Sequence, residues 1–229
     1  FCACISYAQI RVQERLPKSK TGFALTTAKT RAKIYYDVND ALVIKRSAEL
    51  FARDIQMVTG QKPELIQKRE RAKALVIVGT IEKNQWICEL AQKGKIDIRP
   101  LQGAWERYLI QTVDNPSPGV AKALVIAGSD RRGAAYGLFS ISEMMGVSPW
   151  YWWGDVPVKT HKALYVDAPP TYSKTPSVKY RGIFLNDEDW GLKPWAAKTF
   201  EKERGNIGPR TYAKICELLL RLKANHLAP

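Results

Sequence analysis

The chain has 229 residues, 45% hydrophobic and 25% charged, which suffices for a buried core and lies outside the composition of disordered chains. Its 36 Lys and Arg against 22 Asp and Glu give a net charge of +14 and a pI near 9.7. The cations are scattered through residues 18–20, 68–73, 93–95, 131–132 and 198–204 with no block of five or six, which argues for a solvated basic surface and against a nucleic-acid footprint.

Phe1 opens a short apolar stretch in which Ser6-Tyr7-Ala8 offers small residues at the two positions a signal peptidase reads. Residues 1–20 therefore read as the end of an export signal plus a leader, with a secreted or periplasmic protein as the expectation; a buried N-terminal strand is the alternative. The stretch is too short to span a bilayer, and no membrane span is expected. Cys88 and Cys216 each fall in a helical apolar pattern and are expected as buried, reduced thiols. With only His161 and His226, and no Cys/His cluster at zinc spacing, no metal centre is expected.

From about Thr21 strand and helix signals alternate. Residues 33–37 are β-rich and end in the turn-forming Asp37-Val38-Asn39-Asp40. A helix is predicted over 41–59, with Ile44, Ala48, Phe51, Ile55 and Val58 on one stripe, Asp40 as its N-cap and Gly60 as its stop. Residues 75–78 form a continuous apolar run, the pattern of a strand buried on both faces. A second helix is predicted over 82–92, a strand over 105–113, a loop over 115–119 and another buried strand over 123–127. A third helix over 132–145 carries Ala134, Leu138, Ile141 and Met145 on one stripe, with Ser129 or Asp130 at its start and Gly146 at its end. A weaker strand is predicted at 163–166, and the proline-rich residues 171–177 read as a linker. Residues 21–170 are thus one α/β domain. Beyond the linker, residues 178–229 read as strand, acidic loop, helix over 210–223 and the start of a new strand, one β/α unit that cannot cover both faces of its own strand.

Three positions carry candidate chemistry. The run Trp150-Tyr151-Trp152-Trp153 places three of the seven tryptophans directly after the third helix; flat rings on a rigid scaffold suit the apolar faces of sugars, and they also suit a dry core. Asn186-Asp187-Glu188-Asp189 sits at the C-terminal end of a strand, where β/α barrels gather their active-site loops. Such carboxylates can bind sugar hydroxyls or act as acid or base, and they equally can cap the helix that follows. Glu143, late in the third helix, points either to solvent or into a sugar pocket. Gly128-Ser129-Asp130-Arg131-Arg132-Gly133 lacks the spacing of a dinucleotide or P-loop motif and reads as a structural turn, an anion cradle being the alternative.

Two stretches carry a family likeness. One runs from Gly128-Ser129-Asp130-Arg131-Arg132-Gly133-Ala134-Ala135-Tyr136-Gly137-Leu138 through Trp150-Tyr151-Trp152-Trp153-Gly154-Asp155-Val156-Pro157. The other is Tyr180-Arg181-Gly182-Ile183-Phe184-Leu185-Asn186-Asp187-Glu188-Asp189-Trp190, with Gly205-Asn206-Ile207-Gly208-Pro209 and residues 218–225. Together they resemble glycoside hydrolase family 115, the xylan α-1,2-glucuronidases. The resemblance implies an N-terminal α/β domain of the hexosaminidase-accessory type followed by the first β/α unit of a truncated (β/α)8 barrel. It further implies inverting removal of (4-O-methyl)glucuronic acid from acidic xylan without a cofactor, with substrate held near Asn186, Asp187, Glu143, Trp153 and Trp190. Asp187 is the supporting candidate for catalysis. An inverting glycosidase needs two opposed carboxyl groups, which in the family come from later barrel strands, so the polypeptide alone is expected to be inactive. A non-catalytic carbohydrate-binding module is the alternative.

Overall fold

A computed structural model describes residues 9–185 and 191–228 and divides into two compact units, Phe1–Pro176 and Ser177–Pro229. The export-signal reading of residues 1–8 lies outside the described residues.

The first unit contains β1 (Arg11–Gln13), β2 (Gly22–Thr26), β3 (Lys33–Tyr36), α1 (Leu42–Thr59), β4 (Leu65–Ile66), β5 (Ala72–Thr80), α2 (Gln85–Gln92), β6 (Tyr108–Ser117), β7 (Val120–Gly128), α3 (Arg131–Met144), β8 (Leu164–Asp167) and β9 (Thr171–Tyr172). Six strands form one sheet in the order β4-β3-β5-β7-β6-β9, parallel from β4 to β7 and antiparallel at β6 and β9. Strands β1, β8 and β2 form a separate antiparallel sheet. Strand β1 lies inside the segment read as leader, and β9 inside the segment read as linker. Both are short and carry little alternation, so local sequence hides them.

The central strands are apolar on both faces because both faces are covered. Along β5, Val76 and Val78 join the core beneath α1, α3 and the three-stranded sheet, while Leu75 and Ile77 join a second core with Trp86, Ile87 and Leu90 of α2. Helix α1 ends as expected at Gly60, in the left-handed region at φ 72°. Its start differs. Ala41 holds the cap position without a side-chain bond, and the Asp40 carboxylate reaches the end of β5, accepting from the Thr80 amide at 2.7 Å and its hydroxyl at 3.1 Å. A strand end leaves a backbone N–H to satisfy just as a helix end does. Helix α2 begins three residues later than the pattern suggests, because the Asn84 side chain accepts from the amides of Trp86 and Ile87, both at 3.1 Å. The loop expected at 115–119 is mostly strand: β6 runs through Pro116 to Ser117. Its register shifts between Asp114 and Ser117, where an irregularity accommodates the proline, and the turn closes at Gly119 with φ 83°.

The second unit contains β10 (Gly182–Phe184), α4 (Leu192–Trp195), a π-helical turn (Ala196–Phe200), α5 (Pro209–Arg221) and β11 (His226–Ala228). Strands β10 and β11 pair in parallel, Gly182 opposite His226 and Phe184 opposite Ala228, so strand, helix and returning strand form the βαβ unit expected. Arg181 pins it: its guanidinium donates twice to the Lys223 carbonyl just past the end of α5, at 3.0 and 2.8 Å, and its own carbonyl accepts from the amides of Asn225 and His226. A cation on a helix's last carbonyls satisfies orphan acceptors and opposes the helix dipole. Gly182 is required here, since a Cβ would collide with the His226 carbonyl.

In the first unit the turn before α3 is packed as tightly. A Cβ on Gly133 would collide with the Arg107 carbonyl oxygen. Gly133→Ala is therefore expected to destabilise the chain by about 2 kcal/mol or more, the scale of overpacking against rigid backbone. Urea unfolding measures this, and an unchanged midpoint would show that α3 can shift outward.

Candidate functional site

Helix α3 ends at Met144, and its last turn closes on Gly146 at φ 92°. The aromatic run then folds into consecutive turns. The Ser148 carbonyl accepts from Tyr151 N–H at 3.0 Å, the Ser148 hydroxyl accepts from Trp150 N–H at 3.1 Å, and the Trp150 carbonyl accepts from Gly154 N–H at 2.7 Å. Tyr151 turns inward to α1, where Arg53 donates to its hydroxyl at 2.5 Å and lies 5.6 Å from its ring centroid. Trp152 and Trp153 meet edge to face at 4.7 Å and are half-buried. Trp150 remains 46% exposed, with Met144 and Val156 also exposed. The run thus divides its labour: Tyr151 anchors it, the Trp152–Trp153 pair stiffens it, and Trp150 faces solvent. By contrast Trp86 is a core residue.

Glu143 is exposed at the end of α3, beside exposed Met144. Asn186, Asp187 and Trp190, with Glu188 and Asp189, lie outside the described residues. The structure accordingly brings Glu143 and Trp153 onto adjoining segments of one unit.

The glycine turn before α3 is structural. The Asp130 carboxylate accepts from the amides of Arg132 (2.9 Å) and Gly133 (2.8 Å) at the helix start and from Glu106 N–H (2.7 Å), and the Ser129 hydroxyl accepts from Arg107 N–H (3.0 Å). The helix amides that would cradle an anion already hold the protein's own carboxylate.

Two buried carboxylates in the second unit were not apparent from sequence. Glu201 accepts from the Thr211 hydroxyl (2.5 Å) and the amides of Thr211 (2.9 Å), Gly208 (3.0 Å) and Arg210 (3.2 Å). It caps α5 from outside the helix, because Gly208 at the cap position has no side chain to do so. Burial pushes its carboxyl upward, but the donations from Thr211, Arg210 and Gly208 outweigh that and hold it below the ordinary range. Glu217 is paired with buried Arg221 at 2.9 Å and with Lys214 at 3.5 Å. Both are committed to bonds within the unit. The signal for Glu201 was the absence of any polar cap before Pro209.

Cys88 is half-buried and its thiol is raised by burial, its Sγ lying 3.2 Å from the Ile81 carbonyl. Cys216 corrects the expectation of a buried thiol: it is exposed, since the buried stripe of α5 runs through Ile215, Leu218 and Leu219 instead. Among the described residues no three His, Cys, Asp or Glu side chains group as a metal site, and no helix is long and apolar enough to cross a membrane.

Residues 173–229 match the model of glycosyl hydrolase family 115. A solved structure described as a family GH115 4-O-methyl-α-glucuronidase, BtGH115A, with specificity for decorated arabinogalactans is 37% identical with a TM-score of 0.74, covering 90% of this chain and 25% of that one. Both findings make the chain similar to glycoside hydrolase family 115, and it spans about a quarter of the length of that relative. Structures of a GH20 β-N-acetylhexosaminidase from Streptomyces coelicolor A3(2) and of CpGH84D align at TM-scores of 0.47, with 11% and 12% identity. They cover 96% and 94% of this chain and 32% and 35% of theirs. No curated protein sequence matches the chain.

The lowered Glu201 carboxyl stabilises α5 fully above the ordinary glutamate range, about 4.3 in an unfolded chain, and this contribution is lost as pH falls through the folded value. The protection factors of the α5 amides, exchange measured relative to the intrinsic rate at each pH, should therefore fall as the pH drops below the ordinary glutamate range. In Glu201→Gln that pH dependence should vanish, and its persistence would place the acid-sensitive group elsewhere.

Proposed function

We propose that this chain is the N-terminal part of a glycoside hydrolase that removes (4-O-methyl)glucuronic acid from a plant polysaccharide by inversion. The observation that carries the reading is the 37% identity to a 4-O-methyl-α-glucuronidase across 90% of the chain. In this reading the first unit is the accessory α/β domain, and β10-α5-β11 opens a (β/α)8 barrel. Strands of a parallel sheet are ordinarily buried on both faces. None of the described residues of β10 and β11 is buried, and Phe184 is 75% exposed, which supports a sheet made to be covered by further strands.

Asn186 and Asp187, leaving the C-terminal end of β10, would bind the glucuronate, with Trp190 and Glu143 nearby in the intact enzyme and Trp153 giving an apolar wall. Hydrolysis by inversion needs an acid and a base on opposite faces of the sugar, about 6.5–9.5 Å apart. Glu201 is committed to α5, Glu217 to Arg221 and the exposed Glu203 to Arg210, so the remaining carboxylates of the second unit are Asp187, Glu188 and Asp189. The reading therefore makes this polypeptide inactive by itself. Export from the cell belongs to the same proposal, resting on Ser6-Tyr7-Ala8 and on a polymeric substrate. The glycan is either glucuronoxylan or, as for the relative, a decorated arabinogalactan.

The exposed Trp150 keeps a second reading open, a carbohydrate-binding module without catalysis. Release of glucuronic acid from glucuronoxylan and from arabinogalactan, assayed with the full-length protein containing this chain, separates the two. Trp153→Ala and Asp187→Asn in that protein are each expected to lower kcat/KM by about tenfold or more while the protein keeps its folded circular-dichroism spectrum. Wild-type rates in both variants would remove these residues from the site, and tight glycan binding without any acid release would favour the module.

A further inference from the structure

A second region of the first unit has the chemistry of a binding site and shares no residue with the aromatic turn. At the N-terminal edge of the parallel strands, where β5 and β7 begin, a cavity of about 760 Å3 is lined by Arg71, Lys73, Lys93, Lys95 and the hairpin residues 115–119. That volume lies in the range of small-ligand sites. Four cations line it and no carboxylate does. Arg71, Lys73 and Lys93 are exposed, and Lys93 has only a long contact to Glu89 at 3.9 Å. The Lys95 ammonium is held over the hairpin by the Asn115 carbonyl at 2.5 Å, a neutral partner that leaves its charge uncompensated. The neighbouring Asp114 is engaged by Lys122 at 3.1 Å. Lys95 also lines a second cavity of about 440 Å3 that contains Arg99, Gln111 and the half-buried Tyr172. There Asp97 is fully taken by Arg99, with bonds of 2.8 and 2.9 Å, and the Tyr172 hydroxyl is tied to the Asp97 carbonyl, which leaves the ring as a fixed edge. The two cavities meet at Lys95.

The opposite end of this sheet, where parallel α/β sheets usually bind ligands, is closed by the protein's own groups: Asp40 on Thr80, Asn84 on α2 and Asp130 on α3. The cationic groove at the other edge is the concave surface left with unsatisfied charge.

We propose that this groove is a carbohydrate-binding site for a run of uronic acid residues, a carboxylated polysaccharide. Hydroxyls of the sugar rings would meet Gln111, Asn115 and the hairpin backbone, carboxylates would meet Lys73, Lys93 and Lys95, and a ring face would rest on Tyr172. Tyr172 is the one aromatic ring among the residues lining the two cavities, so successive nucleobases find no run of stacking platforms, which favours polyuronide over single-stranded nucleic acid. The choice of a sugar acid among polyanions rests on the glycosidase reading; the groove and its charge do not.

The test uses the complete 229-residue chain and unesterified polygalacturonate, its fully methyl-esterified form, neutral xylan and a single-stranded oligonucleotide as probes. Binding is measured by calorimetry or affinity electrophoresis at low and physiological salt. Binding to the unesterified polymer, weakened by salt and absent for the methyl ester, is expected. The double variant Lys73→Gln/Lys93→Gln leaves the Lys95 clamp on the hairpin intact and should bind about tenfold more weakly. The control Lys198→Gln/Lys202→Gln, with the same charge change in the other unit, should stay within about twofold. Equal loss in the control, equal binding of the ester, or preference for the oligonucleotide would overturn the proposal. Loss on Trp150→Ala with no loss in the lysine pair would move the uronide to the aromatic turn, which refutes the groove and leaves the glycosidase reading standing. Failure of the groove variants to respond has no bearing on acid release by the full-length enzyme, so the two readings fall separately.

Discussion

Helix α3 approaches the sheet so closely that three of its contacts admit no Cβ. Gly128 would strike the Ala134 backbone, Gly133 the Arg107 carbonyl and Gly137 the Ile126 side chain. With the helix at that distance, one carboxylate, Asp130, reaches both the first amides of α3 and the amide of Glu106. Glu106 itself is buried with φ 56°, a conformation that few side chains accept without such support. Everything after α3 inherits this placement. The aromatic turn starts where the helix stops, and Arg53 on α1 takes up Tyr151 because α1 and α3 share one face of the sheet.

A pattern recurs in the placement of acidic side chains. Asp37, Asp40, Asp130 and Glu201 all accept backbone amides at the joints between elements rather than pairing with surface cations. In a chain with +14 net charge this has an electrostatic consequence. Acids that serve the backbone are removed from the population available to neutralise Lys and Arg, so cations accumulate where the fold is concave as well as where it is convex. The basic balance, which composition alone assigns to general solvation, is locally concentrated at the hairpin edge of the sheet. The aromatic turn is the opposite kind of surface, with Trp150, Met144 and Val156 exposed. A polymer bearing both neutral rings and carboxylates has a use for each.

What could be read from the chain alone follows the strength of local signals. Helices α1 and α3, the buried strands β5 and β7, the helix stops at Gly60 and Gly146, and the return of the chain from α5 into β11 were legible because periodicity and glycine placement act over short stretches. The family likeness was legible too, in the long motif around Arg181 and in the turn before α3. Other features depend on partners distant in sequence. Strands β1 and β9 exist only because Tyr165–Asp167 and Leu109–Ile110 lie beside them. Asp40 looked like a helix cap because Thr80, its actual partner, is forty residues away. Glu201 is marked only indirectly, by the missing polar cap before Pro209, and the cationic groove joins side chains from the start of β5, the segment after α2 and the β6–β7 hairpin. Cys216 was misplaced by one helical position, since an apolar stripe on a short helix does not reveal which edge of it meets the core.

The Arg181 clip has an implication for how the second unit sets its register. It ties the residue before β10 to the residues between α5 and β11 through backbone acceptors and donors that lie within about one βαβ span of chain. Strand register in parallel sheets is ordinarily slow to find, because the pairing closes a long loop. Here the Arg181 guanidinium and carbonyl fix the alignment of Gly182 with His226 through bonds made within residues 181–226. The clip thus makes the register of β10 against β11 a property of the second unit's own residues, set by contacts that a shifted pairing would break.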